Sequence, residues 1–283
     1  MIEPIRLSDR ALVLVTGEEA EKFLQAIITT DLSDLSEGEL KPGALLTPQG
    51  KILFDFLVSR VEGGLRFDLP ASKAADFAKR LTLYRLRSKA EISLQNEAYI
   101  SVSWKNDSDS SYNDSILYDR RFQSELKVLR HYGVPGSTVD ETQWMALRIA
   151  HGVAESGDDF ALGDAFPHDV NLDQTGGVSF RKGCFIGQEV VSRMQHRGTA
   201  RRRVLVATGE AALPAPGTPL SAGGREIGTL GSVANDKALA LVRIDRVKEA
   251  MDAGMPIFAG EVAVTLAIPP AARFGFPETQ ETA

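Results

Sequence analysis

The sequence has 283 residues, of which 43% are hydrophobic and 25% charged, and its formal net charge is -6. This composition is typical of a globular protein and excludes wholesale disorder and fibrous repeats, while the negative charge disfavours a surface devoted to nucleic acid. A single cysteine, Cys184, excludes an intramolecular disulfide and any site built on a cysteine pair.

Apolar runs in this sequence are too short for a bilayer, which requires roughly 20 consecutive apolar residues. The amino terminus also lacks the basic region and the cleavage site of a signal peptide. We therefore expect a cytoplasmic protein without a membrane partner.

The first part of the chain alternates between strand and helix patterns. RALVLVTG predicts a strand, and EEAEKFLQAIITTDL predicts an amphipathic helix because its apolar residues recur at helical spacing. Residues 41–70 contain apolar runs interrupted by Pro and Gly, which predict an antiparallel meander. Residues 71–87 predict a helix, AEISLQNEAYISVSW predicts strand, and the polar residues near 105–115 predict a surface loop or linker.

The second part begins with a predicted strand, ILYDRRF, and a predicted helix, DETQWMALRIAHG, which Gly152 closes. A long segment of little regular pattern follows, and such a loop inside a compact domain is usually functional. Beyond residue 200, short apolar runs between Gly and Pro predict a small β-barrel or sandwich, with one short helix at RVKEAMDAG. We therefore predict one region over residues 1–200 and a β-domain over residues 201–283.

The segment FRKGCFIGQEVVSRMQHRG carries the single cysteine. Cys184 lies just before a predicted helix, QEVVSRM, and two residues from Lys182, and both features favour a reactive thiolate. The alternative is a small buried hydrophobic residue, as most lone cysteines are.

The same segment offers groups for ligand binding. Gly183 and Gly187 permit close approach of a ligand to the backbone. Gln188 and Glu189 can form paired hydrogen bonds to a flat heterocycle, although an acidic first helical turn that complements the helix dipole is an equal alternative.

A basic run, RMQHRGTARRR, follows the cysteine. It could bind RNA or another polyanion, and a solvated linker is the commoner explanation. His168 and His196 have no partner at metal-ligand spacing, so we predict no metal site. The sequence also has no P-loop, GxGxxG or GxSxG motif, which removes the commonest nucleotide, dinucleotide and hydrolase functions.

Three stretches, FRKGCFIGQEVVSRMQHRG, LGDAFPHDVNLDQTGGVSF and LLTPQGKILFDF, resemble the YgfZ family of folate-binding proteins. This family assists iron–sulfur protein assembly and is related to the T-protein, the aminomethyltransferase of the glycine cleavage system. The resemblance extends over nearly the whole chain. It implies an α+β fold of two interlocked α/β units of T-protein type plus a small C-terminal β-barrel, around a central opening that binds tetrahydrofolate or a derivative.

The resemblance also implies roles for particular residues. Cys184 becomes a candidate functional thiol that Lys182 would tune. The candidate cofactor-binding residues are Asn171, Gly183, Gly187, Gln188 and Glu189. In the LRIAHG stretch Ala150 stands where T-proteins carry a glutamate that holds the pterin, so we do not expect a true glycine-cleavage aminomethyltransferase.

The function that the resemblance implies is a folate-binding accessory protein in the assembly or repair of iron–sulfur proteins, which indirectly supports tRNA modification. Its partners would be folate and, transiently, iron–sulfur client proteins. Two alternatives stay open. One is a folate-dependent one-carbon (aminomethyl) transferase, and the other is a tRNA-binding module that uses Arg197, Arg201, Arg202 and Arg203.

Overall fold

The computed structural model describes residues 3–95, 98–105, 115–122, 126–138, 141–198 and 200–277. The chain forms two compact units: Met1–Glu141 with Thr175–Val190, and Thr142–Gln174 with Val191–Ala283. The linker predicted near residues 105–115 lies outside the described residues, apart from its two end residues.

The first unit is built on a nine-stranded sheet of order β1-β7-β9-β8-β3-β4-β5-β2-β6. Its strands are β1 (Ile5–Arg6), β2 (Arg10–Thr16), β3 (Glu39–Leu46), β4 (Ile52–Val61), β5 (Gly64–Pro70), β6 (Glu91–Gln95), β7 (Ile100–Lys105), β8 (Ile116–Asp119) and β9 (Lys127–Tyr132). The antiparallel pairing of β3 with β4 and of β4 with β5 confirms the predicted meander. The pairing of β3 with β8 is parallel.

Two helices accompany this sheet, α1 (Ala20–Gln25) and α2 (Ala71–Arg85). The sequence predicted a longer α1. The chain leaves the helix because Ile28 bridges to Leu45 and the amide of Thr29 donates to Ala44, so these residues pair with β3 instead. The fully buried ring of Phe77 joins α2 to an aromatic cluster of the sheet, with Phe54, Phe56 and Phe67.

The second unit contains a closed barrel of order β10-β13-β12-β11-β14-β15. Its strands are β10 (Arg202–Gly209), β11 (Pro219–Ala222), β12 (Arg225–Ala234), β13 (Lys237–Arg243), β14 (Ile257–Ala259) and β15 (Val262–Ala267). The pairing of β10 with β15 closes the barrel. This arrangement confirms the predicted C-terminal β-barrel, and with the mixed sheet it confirms the α+β fold class.

Three further helices are α3 (Glu141–His151), α4 (Gln188–Arg197) and α5 (Ile244–Asp252). Arg148 of α3 is 2% exposed, and its Nη1 donates to the carbonyl of Val153 at 3.0 Å and to Asp159 at 2.9 Å. Asp159 in turn accepts the amide of Ser232 in β12. This buried charge pair fastens the segment after α3 to the barrel.

Candidate functional site

The segment that carries the cysteine is irregular between Arg181 and Gly187, just before α4. Phe185 is buried, and Ile186 packs against the hydrophobic core of the first unit. Gly183 and Cys184 are exposed. The two apolar residues therefore anchor the segment, while the thiol faces solvent, which removes the buried, inert alternative for Cys184.

Lys182 points its amine into the protein. Its Nζ donates to the carbonyl groups of Ile28 at 2.8 Å and Thr30 at 2.7 Å, and the residue is 8% exposed. Burial lowers the pKa of Lys182 to about 8, and the charge of Asp31 opposes this shift. The amine therefore holds the backbone after α1 in place.

Asp31 is a polar group beside this lysine that sequence reasoning missed. Its Oδ1 accepts hydrogen bonds from the side chain of Gln25 at 2.7 Å and from the hydroxyl of Ser33 at 2.7 Å. Although burial opposes it, the bonds from Ser33 and Gln25 and the charge of Lys182 together lower the pKa of Asp31. A carboxylate, a carboxamide and an ammonium group thus lie close together beneath the cysteine segment.

Thr29 joins three stretches of the first unit. Its hydroxyl donates to the carbonyl of Gly177 at 2.6 Å and accepts the amide of Ala44 at 2.9 Å, while its own carbonyl accepts the amide of Ser179 at 2.9 Å. The signal in the sequence was the run Thr29-Thr30-Asp31, which places polar residues directly after an apolar run. Both threonines are fully buried, so the run is an internal connection.

Gly187 packs against the turn that joins β3 and β4. Its φ is +79°, and a Cβ there would lie 2.6 Å from the carbonyl oxygen of Thr47 and 3.1 Å from Cα of Gly50. A Cβ on Gly183 would meet nothing within 4 Å. Of the two glycines proposed for ligand approach, Gly187 is therefore explained by packing and Gly183 is not.

Gln188 and Glu189 form the first turn of α4. Gln188 is half-buried, and its backbone N–H donates to the carbonyl of Phe185 at 3.2 Å. Glu189 is exposed. Since consecutive residues of a helix point about 100° apart, the side chains of Gln188 and Glu189 point in different directions.

Asn171 lies in the second unit, with a φ of +59° that asparagine tolerates better than most residues. It is 2% exposed, and its Nδ2 donates to the carbonyl of Val204 at 2.8 Å. This geometry gives Asn171 a local role in holding its loop on β10.

The arginines proposed for tRNA differ in their environments. Arg203 is buried, and its Nη1 lies 2.6 Å from Asp173. Arg202 lies 3.0 Å from Asp164 and 3.1 Å from Asp169. Arg197 and Arg201 are exposed. Two of the four arginines are thus paired with carboxylates inside the second unit.

Among the described residues, no group of three or more histidine, cysteine or acidic side chains could hold a metal ion. In the same ranges, no helix has both the length and the apolar character needed to cross a membrane.

The barrel gives the first comparison with known proteins. Residues 201–274 match the family model of the CAF17 C-terminal beta-barrel domain. The chain is also similar to proteins named iron-sulfur cluster assembly factor IBA57 homolog, mitochondrial. The relative from Chaetomium globosum is 31% identical over 237 residues, which cover 70% of this chain and 54% of the relative.

Two further relatives carry the same name. The one from Pyricularia oryzae is 29% identical over 217 residues, covering 70% of this chain and 55% of the relative. The one from Mycosarcoma maydis is 28% identical over 225 residues, covering 71% of this chain and 55% of the relative. The chain spans about half the length of the curated relatives it matches.

A solved structure shares the fold. The glycine cleavage system aminomethyltransferase T from Bartonella henselae aligns with a TM-score of 0.71 and 16% identity, covering 95% of this chain and 85% of that chain. This likeness confirms the T-protein type of fold predicted from the sequence, and at this identity it shows the fold alone.

The names of these relatives support the predicted role in the assembly of iron–sulfur proteins. The relatives are named IBA57, whereas the family predicted from the sequence was YgfZ. They also correct the sequence prediction in one respect. The prediction of a cytoplasmic location is wrong, because the relatives are named mitochondrial proteins.

Proposed function

We propose that this chain is a folate-binding accessory protein that supports the assembly or repair of iron–sulfur proteins. The observation that carries the proposal is the exposed thiol of Cys184 in a chain similar to named iron–sulfur cluster assembly factors. A cluster normally takes four thiolates, and this chain has one cysteine. The chain therefore acts on clusters held mainly by client proteins, and its effect on tRNA modification is indirect.

In this proposal Cys184 is the functional thiol, either as a nucleophile or as one ligand of a shared cluster. Lys182 has a positioning role, since its amine is committed to the carbonyl groups of Ile28 and Thr30. Together with the buried ring of Phe185, that anchor fixes the segment on both sides of the thiol. A fixed segment presents the sulfur to a partner at little entropic cost.

The residues around the thiol fit a folate. Gly183 leaves open space where a Cβ would lie, and the carboxamide of Gln188 offers a donor and an acceptor to the edge of a pterin. A reduced folate supplies a carrier of one-carbon units when it is bound. We assign the pterin contact to Gln188 beside the open space at Gly183, a contact with another part of the ligand to Glu189, and packing roles to Gly187 and Asn171.

The folate half of the proposal is tested by titrating purified protein with tetrahydrofolate in a calorimeter. We expect saturable binding at micromolar concentrations, which Gln188→Ala weakens. Gln95→Ala, an exposed glutamine of β6, is the matched control and leaves the affinity unchanged. Absence of saturable binding at micromolar concentrations removes folate from the proposal.

The thiol is tested in cells by replacing Cys184 with serine. If Cys184→Ser abolishes function in cells while folate binding is preserved, the sulfur itself is required for function. If both function and folate binding survive, the thiol is not required and the proposal loses its carrying observation.

The two alternatives are less well supported. Ala150 is an exposed alanine on α3 and offers no polar group to a pterin, which counts against the aminomethyltransferase. For the tRNA module, Arg202 and Arg203 would have to leave their carboxylate partners before they could bind phosphate.

A further inference from the structure

The carboxyl end of α2 exposes large apolar side chains, although the helix also buries an apolar face in the core. Its inner face buries Ala74, Phe77 and Leu81. On the outside, Leu83 is 61% exposed and Leu86, at the end of the helix, is 85% exposed. Leu86 directly follows the last helical residue, Arg85, so two exposed leucines lie within four residues of chain at the carboxyl end of α2.

Cations lie close to the two leucines in the sequence, although the chain as a whole has a net charge of -6. Lys79 and Arg80 precede Leu83 by one helical turn, which places them on the same face. Arg87 follows Leu86, and Lys79 and Arg87 are both exposed. We call this surface the docking ridge, defined by Lys79, Arg80, Leu83, Leu86 and Arg87. Within residues 71–90 the only acidic residue is Asp76.

The backbone at Leu86 is unusual. Its φ is +51° and its ψ is -108°, a conformation that glycine adopts freely and that a side chain opposes. The other non-glycine residues with positive φ in the described ranges are Asn171 and Asn235, and asparagine tolerates such angles. A strained backbone that keeps a large, exposed apolar side chain points to a use for that side chain.

From this geometry we infer that the docking ridge binds an acidic, leucine-bearing helix of a partner protein. The leucines supply the buried centre of the contact, and the cations supply attraction and orientation at its rim. Glu18 lies 3.2 Å from Lys89, and Glu19 borders the same depression as Leu86 and Arg87. Carboxylates at the rim disfavour a uniformly anionic surface such as a bilayer or RNA, whereas a helix with discrete charges can avoid them.

None of the ridge residues is a candidate folate contact or the functional thiol. The assay below therefore tests the ridge independently of the proposed function.

The test uses the full chain and a fluorescent synthetic helix of about 18 residues, long enough for helix formation, with glutamates and with leucines at helical spacing. Anisotropy should give a Kd on the order of 10 µM. Leu83→Ser and Leu86→Gly should each weaken binding by about tenfold, the effect of withdrawing one leucine from a buried contact. Leu86→Gly should not lower the melting temperature, because glycine accepts this backbone.

Matched controls lie in the second unit. Met251→Ser removes another exposed apolar side chain, Lys237→Glu reverses another exposed cation, and both should leave the affinity unchanged. Lys79→Glu should weaken binding. The inference is overturned if the leucine variants bind as the wild type does, or if a peptide with serine in place of leucine binds equally well. It is also overturned if vesicles rich in phosphatidylglycerol or poly-uridylate bind the ridge while the peptide does not.

Discussion

Replacing Gly187 with alanine should destabilise the first unit. The new Cβ would lie 2.6 Å from the carbonyl oxygen of Thr47 and 3.1 Å from both Cα of Gly50 and Cβ of Leu46. Backbone atoms of the β3–β4 turn cannot rotate away as a side chain would. The contact therefore moves either this turn or the start of α4.

The magnitude follows from two contributions. The left-handed backbone, with a φ of +79°, costs an alanine about 1 kcal/mol, and overpacking a tight contact costs about 1–3 kcal/mol. Alanine also reduces the entropy of the unfolded chain, which offsets about 0.5 kcal/mol. We expect Gly187→Ala to lower the free energy of unfolding by about 1.5–3.5 kcal/mol.

The assay is urea unfolding followed by circular dichroism, with Gly183→Ala as the matched control from the same motif. A Cβ on Gly183 meets nothing within 4 Å, so this control should change stability by no more than about 0.5 kcal/mol. Equal stability losses in the two variants, or no loss in Gly187→Ala, would refute the packing role of Gly187. If Gly183→Ala keeps its stability but loses folate affinity, the bound folate occupies the open space at Gly183.

The remaining predictions concern Lys182 and Cys184. Lys182→Met removes the donor of two buried carbonyl groups and should cost about 2 kcal/mol of stability. The control is Lys41→Met, because the amine of Lys41 donates to one carbonyl near the surface. This variant should lose less than about 0.5 kcal/mol of stability. Equal losses in the two variants would contradict the explanation by burial of the Lys182 amine. Because burial lowers the pKa of Lys182 from 10.5 to about 8, the unfolded chain holds this proton in a range where the folded chain has released it. The contribution of Lys182 to the free energy of unfolding should therefore rise between pH 8 and 10.5, by up to about 3 kcal/mol. The measurement is the free energy of unfolding of the wild type minus that of Lys182→Met, followed over this pH range. A difference that does not change with pH would refute the prediction. Cys184 is exposed, so the native protein should react fully with Ellman's reagent without denaturant, and reaction only after unfolding would place the thiol inside the protein.

Local patterns predicted most elements of the fold. The helix over residues 71–87 is α2, the helix that Gly152 closes is α3, and the barrel follows residue 200. Local patterns could not show that the predicted strand AEISLQNEAYISVSW divides. Its two parts, β6 and β7, pair with β2 and β9 at different positions in the sheet, and only tertiary contacts decide those positions.

The candidate site shows the same limit. The sequence indicated Lys182 and Cys184 two residues apart, and it suggested that the amine acts on the thiol. The amine instead reaches carbonyl groups more than 150 residues earlier in the chain, and no local pattern encodes that contact. Likewise, only the structure separates Gly187, which packs against Thr47, from Gly183, which packs against nothing.

The central claim, that the chain supports iron–sulfur proteins through Cys184, is tested most directly by enzyme activity in cells that lack the gene. The measurement is the activity of a 4Fe–4S enzyme per unit of its polypeptide, after complementation with wild type or with Cys184→Ser. We predict that deletion lowers this activity several-fold, that the wild-type chain restores it, and that Cys184→Ser, produced at the same level, does not. Normal activity in the deleted cells, or full restoration by Cys184→Ser, would contradict the claim.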